Sequence, residues 1–252
     1  MLPDFSDETR DRHLEAAHAC FPGPDYYTVL NWIHEIRRPG TYIEIGVRSG
    51  SSLSIAKPQT VCVGIDPNPT VAHPLPPTTT LYRMTSDQFF SESSPEIVLG
   101  TSAFDLAFID GLHVFEQALR DFNHLEGWAE PAAVILIHDC LPLDDVTSAR
   151  DRTTQFYSGD TWKVIAALTQ YRQDLRIAIV PTAPTGLCMV TNLDRKSNLL
   201  ADRFEEITAQ FVDMGWSDYC GFPEHSAARI RNERGAIRDW LDQVPDAAGG
   251  PP

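Results

Sequence analysis

The chain has 252 residues, of which 42% are hydrophobic, so it can bury the core of one α/β domain with additional segments. Its formal net charge of −15 argues against nucleic acid or an anionic membrane as a partner, because both would be repelled. The N-terminal residues are polar and lack the apolar segment of a signal peptide, and no apolar run is long enough to span a bilayer. These features predict a cytoplasmic protein.

The five cysteines are scattered along the chain and show no C-x-x-C spacing. An odd number without regular spacing indicates neither a disulfide framework nor a zinc site. Cys62, Cys140 and Cys188 lie in or beside apolar runs, where cysteine behaves as a small hydrophobic residue.

Residues 1–40 are predicted to form a helical cover ahead of the first strand. A helix over 5–20 has Ser6 as a candidate cap, and a second helix spans 26–36. Pro39-Gly40 then turns the chain toward the strand. We expect these two helices to cover the sheet or the mouth of a cofactor site.

The stretch 41–56, TYIEIGVRSGSSLSIA, combines a strand, a glycine turn and a helix that opens at Ser51. Gly46 lets the backbone turn without a Cβ, and Gly50 lets a ligand approach closely. Glu44 at the strand end can accept a hydrogen bond from a ligand hydroxyl or ammonium group. The pattern E-x-G-x-x-x-G lacks the glycine spacing of dinucleotide-binding folds and the lysine of a phosphate-binding loop. It resembles motif I of class I S-adenosylmethionine (SAM) methyltransferases; the alternative is an ordinary turn between a strand and a helix.

Two later strand ends carry further candidate SAM-binding residues. The run 60–66 ends in Asp66, about 20 residues after the glycine turn, where an α/β nucleotide fold places a carboxylate on the ribose hydroxyls. The alternative is an aspartate that caps a turn or faces solvent. A third strand over 81–84 is followed by Ser86 and Asp87, which open a helix. In methyltransferases this turn lies near the adenine, so the resemblance implies that both residues contact it.

The fourth and fifth predicted strands also end in acids. FDLAFID over 104–110 ends in Asp110, and the strand over 132–137 is followed by His138 and Asp139. Ligands bind outside the carboxyl ends of the strands in an open parallel sheet, so these side chains should meet beside the cofactor. Mostly oxygen ligands favour Mg²⁺ over zinc. The alternative is that the acids cap the following helices.

His113 follows Asp110 by three residues and is predicted on the first turn of the helix that continues to about residue 128. It can face the same cleft as Asp110 and take a proton from an alcohol, because imidazole titrates near neutrality. The alternative is a partly exposed histidine at a helix start. His138 is either a metal ligand or a residue that orients a ligand.

Strands over 175–180 and 187–191 are joined by a turn with proline and glycine, which predicts a hairpin. Together the patterns predict an α/β fold: a Rossmann-like, mostly parallel seven-stranded sheet with one antiparallel strand and helices on both faces. The methyltransferase-like domain spans 41–192. A C-terminal helical extension spans 193–244, with amphipathic helices predicted over 198–214 and 226–241, and residues 245–252 are predicted to be disordered.

Four motifs in order, EIGVRSG, GIDPNP, FIDGLHVFEQALRDF and ILIHDC, resemble the metal-dependent class I O-methyltransferases that act on sugar hydroxyls of natural products. The resemblance covers about residues 40–192. It implies SAM as cofactor, Mg²⁺ or another divalent cation on Asp110, His138 and Asp139, and His113 as the base. Asp110 would serve both the cofactor and the chemistry. At His138 this family often has a second acid, so the sequence departs from the pattern there.

The expected reaction is methyl transfer from SAM to a hydroxyl of a small molecule, a sugar or glycoside. Catechol-type O-methylation is an alternative, as are a metal-dependent hydrolase and a non-catalytic SAM-binding module on the same fold. The segment 147–162 would reach over the site as part of a lid. The appended helices at both ends are suitable surfaces for a homo-oligomer.

Overall fold

The computed structural model describes residues 3–221 and 227–243, and the structural statements below concern these residues. The tail 245–252, predicted to be disordered, lies outside them. So does Ser226, the predicted first residue of the last helix.

Within the described residues, eight strands form one sheet. They are β1 (Thr41–Ile45), β2 (Val61–Ile65), β3 (Thr79–Tyr82), β4 (Phe104–Ile109), β5 (Ala129–His138), β6 (Arg176–Val180), β7 (Leu187–Thr191) and β8 (Ala228–Arg229). The helices are α1 (Asp7–Cys20), α2 (Tyr26–Arg37), α3 (Ser86–Glu92), α4 (Pro95–Leu99), α5 (Phe115–Gly127), α6 (Trp162–Tyr171), α7 (Leu199–Asp202), α8 (Phe204–Phe211), α9 (Trp216–Gly221) and α10 (Arg234–Leu241).

The strand order is β3-β2-β1-β4-β5-β7-β6-β8, and β7 alone runs against its neighbours. This arrangement confirms the predicted Rossmann-like sheet with one antiparallel strand. The chain order reverses between β1 and β4, which opens a crevice at their carboxyl ends. The sheet has one strand more than predicted, because the short β8 adds to the edge strand β6.

Both faces of the sheet are buried, which explains the apolar runs in its central strands. Alternate residues of β1 point to opposite sides, so Ile43 and Ile45 pack with α5 and α6, whereas Tyr42 packs with α2 and α10. The second helix begins where the sequence predicts, at Tyr26, and the first begins at Asp7, two residues later than predicted. Ser6 caps α1 by accepting a hydrogen bond from the Thr9 amide, and Asp25 caps α2.

Several predicted boundaries were wrong for identifiable physical reasons. The helix expected from Ser51 is a single 3₁₀ turn, Leu53–Ile55, because Pro58 and the start of β2 leave no room for more. The strand expected over 132–137 begins earlier, at Ala129, and includes Pro131. A shift of register between β4 and β5 accommodates this proline.

The C-terminal extension also differs from its prediction. The helix expected over 198–214 is divided at Arg203 into α7 and α8. The helix expected over 226–241 is helical only as α10, because residues 228–229 pair with β6 and the Ile230 amide donates to the Ile179 carbonyl. Three further helices, α4, α6 and α9, were not predicted.

A buried ion pair connects α5 to α6. Both terminal nitrogens of Arg172 donate to the Glu126 carboxylate, and each of these side chains is only 2% exposed. Arg172 also donates to Asp174 ahead of β6, and Glu126 accepts from the Asp194 amide. Glu126 therefore holds together segments from three parts of the chain.

Replacing Glu126 with alanine should lower the free energy of unfolding by about 3 kcal/mol, because the buried guanidinium loses its buried carboxylate partner and keeps only the half-exposed Asp174. The control is Glu206→Ala, which removes the half-exposed partner of Arg203 and should cost far less, because solvent screens this pair. Urea denaturation of both variants measures the two changes. Equal losses would contradict the assignment.

Candidate active site

A cavity of about 920 Å³ opens at the carboxyl ends of β1, β2, β4 and β5. Its lining includes most of the residues predicted for cofactor, metal or catalysis, namely Gly46, Ser51, Asp66, Ser86, Asp87, Asp110, His113, His138 and Asp139. Of the predicted site residues, Glu44 and Gly50 do not line it.

Gly46 lies where three strand ends come together. Its φ is 90°, and a Cβ at this position would lie 1.9 Å from the Asp110 carbonyl oxygen. The Gly46 amide donates to the Ile65 carbonyl, and the Asp110 amide donates to the Ile45 carbonyl. Glycine is therefore required for the close approach of backbone to backbone, in addition to its predicted role beside a ligand.

Glu44 lies inside the protein, away from the cavity. It is fully buried and accepts hydrogen bonds from Tyr42 Oη and Ser52 Oγ, each at 2.7 Å. Burial raises the pKa of its carboxyl to about 8. The physical reason is the alternation of β1, which turns Glu44 to the same side as Tyr42.

Gly50 is a turn residue with φ of 78°. A Cβ there would lie 3.1 Å from the Leu75 side chain and 3.3 Å from Val71, so the space beside it is occupied by the 71–75 loop. Because Gly50 has no side chain, the 71–75 loop can pack directly against its backbone.

Asp66 ends β2 at the cavity. Its two carboxylate oxygens accept hydrogen bonds from the amides of Arg48 and Asn68, each at 2.7 Å. Arg48 adopts a left-handed φ of 46°. Asp66 therefore fixes the glycine turn and still contributes to the cavity lining.

Gln117 and Asp121 also line the cavity and were missed by the sequence analysis. Ser86 Oγ donates to the Asp121 carboxylate at 2.6 Å, and Gln117 Nε2 donates to Asp121, Ser86 and Asp87. Burial raises the pKa of Asp121 to about 6. The sequence could have indicated this pair, because Gln117 and Asp121 are four residues apart and therefore lie on one face of α5, beside its apolar stripe.

Two carboxylates and two imidazoles meet at the ends of β4 and β5. Asp110 Oδ1 lies 3.3 Å from His113 Nε2 and 3.3 Å from His138 Nδ1. Asp139 Oδ2 lies 3.1 Å from His113 Nδ1 and 3.4 Å from His138 Nδ1. Thr185 Oγ1 donates to the other oxygen of Asp139.

Opposite charges dominate the titration of this cluster. Burial alone would lower the pKa of His113, but Asp139 and Asp110 outweigh it and raise the pKa to about 9. The pKa of His138 is likewise raised well above its usual value by the same two acids, against the effect of burial. Burial would raise the pKa of Asp110, but the two histidines hold it well below its usual range.

The backbone at this cluster is strained. His113 has φ of 60° and Asp139 has φ of 58°, in the left-handed region that non-glycine residues rarely adopt. His113 was predicted on the first turn of a helix, but α5 begins at Phe115 and His113 precedes it. Such conformations persist only where surrounding structure enforces them, and they are found mostly at functional sites.

The donor atoms of this cluster suit a divalent cation. One atom from each of Asp110, His113 and Asp139 lies within 4.8 Å of the others. Two carboxylates and an imidazole are ligands that Mg²⁺ and first-row divalent ions accept. His138, predicted as a ligand, lies outside this set; its Nδ1 faces both acids and its ring packs 4.2 Å from the ring of Tyr26.

One wall of the cavity combines aromatic and charged residues. Tyr26 and Tyr27 come from α2, and Leu112 comes from the loop after β4. The segment after β5 contributes Arg150, Asp151, Arg152, Gln155, Phe156 and Tyr157. That segment is tied to the N-terminus, because the Asp4 amide donates to the Thr153 carbonyl and Gln155 Nε2 donates to the Phe5 carbonyl.

Residues 43–140 match a family described as a methyltransferase domain. With the sheet order already given, this match indicates a SAM-dependent methyltransferase domain over residues 43–140. No curated protein matches the methyltransferase significantly over its sequence.

Solved structures share the fold of this methyltransferase at low sequence identity. The O-methyltransferase TomG from Streptomyces achromogenes, in complex with SAM, is 17% identical with a TM-score of 0.51, covering 76% of this chain and 92% of TomG. Cofactor-bound Rv0187 from MTB is 15% identical with a TM-score of 0.54, and the match covers 75% of this chain and 91% of Rv0187. The SAH-bound methyltransferase PaMTH1 from Podospora anserina is 15% identical with a TM-score of 0.50, and the match covers 76% of this chain and 98% of PaMTH1.

In the part of the chain that the structure describes, the helices are too short or too polar for any of them to cross a membrane.

Replacing Glu44 with glutamine should leave the affinity for SAM within about threefold, because the carboxyl is buried and most of it is already protonated near pH 7. Titration calorimetry with SAM measures this, with wild-type protein as the reference. A tenfold or greater loss with an intact fold would show that Glu44 contacts the cofactor, as its sequence pattern suggests.

Proposed function

We propose that this methyltransferase transfers the methyl group of SAM to a hydroxyl oxygen of a small-molecule acceptor, a sugar or a glycosylated natural product, with the help of Mg²⁺. The observation that carries the proposal is the meeting of Asp110, His113 and Asp139 in a cavity that also contains the glycine turn. The fold shared with TomG, an O-methyltransferase involved in tomaymycin synthesis, agrees with it.

The first role of the chain is to hold SAM, which supplies the methyl group. A cavity of about 920 Å³ is large enough for the cofactor and an acceptor side by side. We assign the cofactor to the Gly46 turn with Ser51, to Asp66 on the ribose, and to Ser86 and Asp87 near the adenine. Asp110 would lie between the cofactor and the acceptor.

The second role is to position the acceptor oxygen. Asp110 and Asp139 are the proposed oxygen ligands of the cation, and Thr185 orients Asp139 through its hydrogen bond. His138 is the predicted nitrogen ligand, and His113 is the alternative, because its atoms lie closest to both acids. A divalent cation held by these residues would lower the pKa of an acceptor hydroxyl.

The third role is to accept the hydroxyl proton, which we assign to His113. Asp139 and Asp110 keep the His113 ring protonated near neutral pH, and a cation bound to these acids would offset their charge and lower the pKa of the ring again. His113 Nδ1 lies 3.0 Å from the Tyr157 carbonyl, so in the neutral ring Nδ1 carries the hydrogen and Nε2 can take a proton. Asp110 Oδ1, 3.3 Å from Nε2, then stabilises the protonated ring. Positioning the oxygen in line with the donor provides the rest of the rate enhancement.

The family match favours the transferase over the hydrolase and the non-catalytic module. Catechol-type O-methylation remains the second candidate, because the aromatic wall of Tyr26 and Tyr27 would pack against a planar ring.

The proposal also includes the domain organisation. It consists of an N-terminal helical cover over 1–40, a methyltransferase domain over 41–192 and a C-terminal helical extension over 193–244. We further propose a cytoplasmic location and a homo-oligomer.

Removal of divalent cations with EDTA should abolish methyl transfer to acceptors drawn from methyl pyranosides and catechols, and added Mg²⁺ should restore it. Asp139→Ala should weaken the binding of Mg²⁺ by about 10–100-fold, measured by calorimetry. The control is Asp145→Ala, which removes an exposed acid outside the cavity. Full transfer by EDTA-treated protein would eliminate the cation from the mechanism.

His113→Ala should lower kcat by about 10²–10⁴-fold while the affinity for Mg²⁺ changes little, because the variant loses the proton acceptor and keeps both carboxylates. Single-turnover kinetics and calorimetry measure the two effects. His73→Ala, at an exposed histidine outside the cavity, is the control. If His113→Ala loses cation affinity as strongly as Asp139→Ala does, His113 is a metal ligand and the assignment as base is wrong.

A further inference from the structure

The segment 157–160 wraps around His113 from the side of the cavity wall. The ring of Tyr157 stacks on the His113 ring with 5.8 Å between centroids and 6° between planes, and its carbonyl faces His113 Nδ1. The Asp160 amide donates to the His113 carbonyl at 3.2 Å. Both the ring and the backbone of His113 are therefore held by one short segment.

Gly159 is the point of closest contact. A Cβ on Gly159 would lie 2.0 Å from the His113 carbonyl oxygen and 2.9 Å from the His113 Cβ. Both of these atoms belong to the backbone or to the start of the side chain, so His113 cannot move away by a change of rotamer. Any residue other than glycine would push His113 out of its place.

Asp160 completes the arrangement on the far side of His113. Its Oδ1 accepts a hydrogen bond from the Phe115 amide at 2.7 Å and so caps α5, because Val114 at the cap position has no side-chain acceptor. Its Oδ2 lies 3.1 Å from Lys163 Nζ and 3.1 Å from Arg150 Nη1. Asp160 is only 1% exposed, so these contacts fix its position.

We propose that Gly159 and Asp160 are positioning residues that hold His113 in its left-handed conformation with the ring turned to Asp110. The Asp160 amide and carboxylate bind the backbone on both sides of Val114, and this leaves the chain from 113 to 115 with one conformation. The proposal rests on the proposed function for the role of His113. It assigns to the 147–162 segment a task beyond covering the cavity.

The first test is Gly159→Ala, with Gly100→Ala as the matched control. Both glycines have positive φ, 60° and 72°, but a Cβ at Gly100 meets no atom within 4 Å. Gly159→Ala should lower kcat by about 10²-fold, because a displacement of about 1 Å at a catalytic group has this effect. The KM for the acceptor and the Kd for SAM should stay within about threefold, and Gly100→Ala should keep wild-type kcat.

The same substitution in the His113→Ala background should give no further loss of kcat, because Gly159 acts through His113. A kcat of Gly159→Ala equal to that of Gly100→Ala would overturn the proposal. So would a loss of the same size in both backgrounds, since it would show an effect that does not pass through His113.

The second test addresses Asp160 without leaving a buried ammonium group unpaired. Lys163→Met is the reference, and Lys163→Met with Asp160→Ala is the test variant. Amide hydrogen exchange should show strong protection of Phe115 in the reference and a loss of at least tenfold in the test variant. Unchanged protection would overturn the role of Asp160. This measurement needs no acceptor. If the wild-type protein transferred no methyl group, the proposed function would be refuted, but the exchange experiment would still decide whether Asp160 holds the backbone at Phe115.

Discussion

The structure depends on the contact between the ends of β1 and β4. At Gly46 the two backbones come so close that a single methyl group would collide with the carbonyl of Asp110. The reversal of strand order lies between these two strands, so this contact forms the floor of the crevice. Gly46 therefore shapes the turn proposed for SAM. It also fixes the position of Asp110, where the loop that carries His113 begins.

Two strained residues lie next to each other at the ends of β4 and β5. His113 and Asp139 both have positive φ, and each belongs to a segment that follows directly on a central strand. Neither conformation is favoured by the local sequence, so tertiary contacts must enforce both. Thr185 holds Asp139 and the 157–160 segment holds His113. The strain brings a carboxylate and an imidazole to within hydrogen-bonding distance.

The order of strands and helices was predictable because buried parallel strands leave apolar runs that end at polar residues. Elements that depend on tertiary contacts were not predictable. The strand β8 has only two residues and is stabilised by pairing with β6, and the length of the 3₁₀ turn depends on the room left by Pro58. For the site, residues directly after a strand were predictable as neighbours in space. Asp121 and Asp160 were not, because α5 and the cavity wall bring them in from positions that no strand pattern marks.

The pairing of Asp4 with Thr154 gives the N-terminal end of the chain a second significance. The segment that lies against His113 is held from behind by residues near the start of the polypeptide. Loss of this bridge would therefore loosen the support of His113 without removing any residue that lines the cavity.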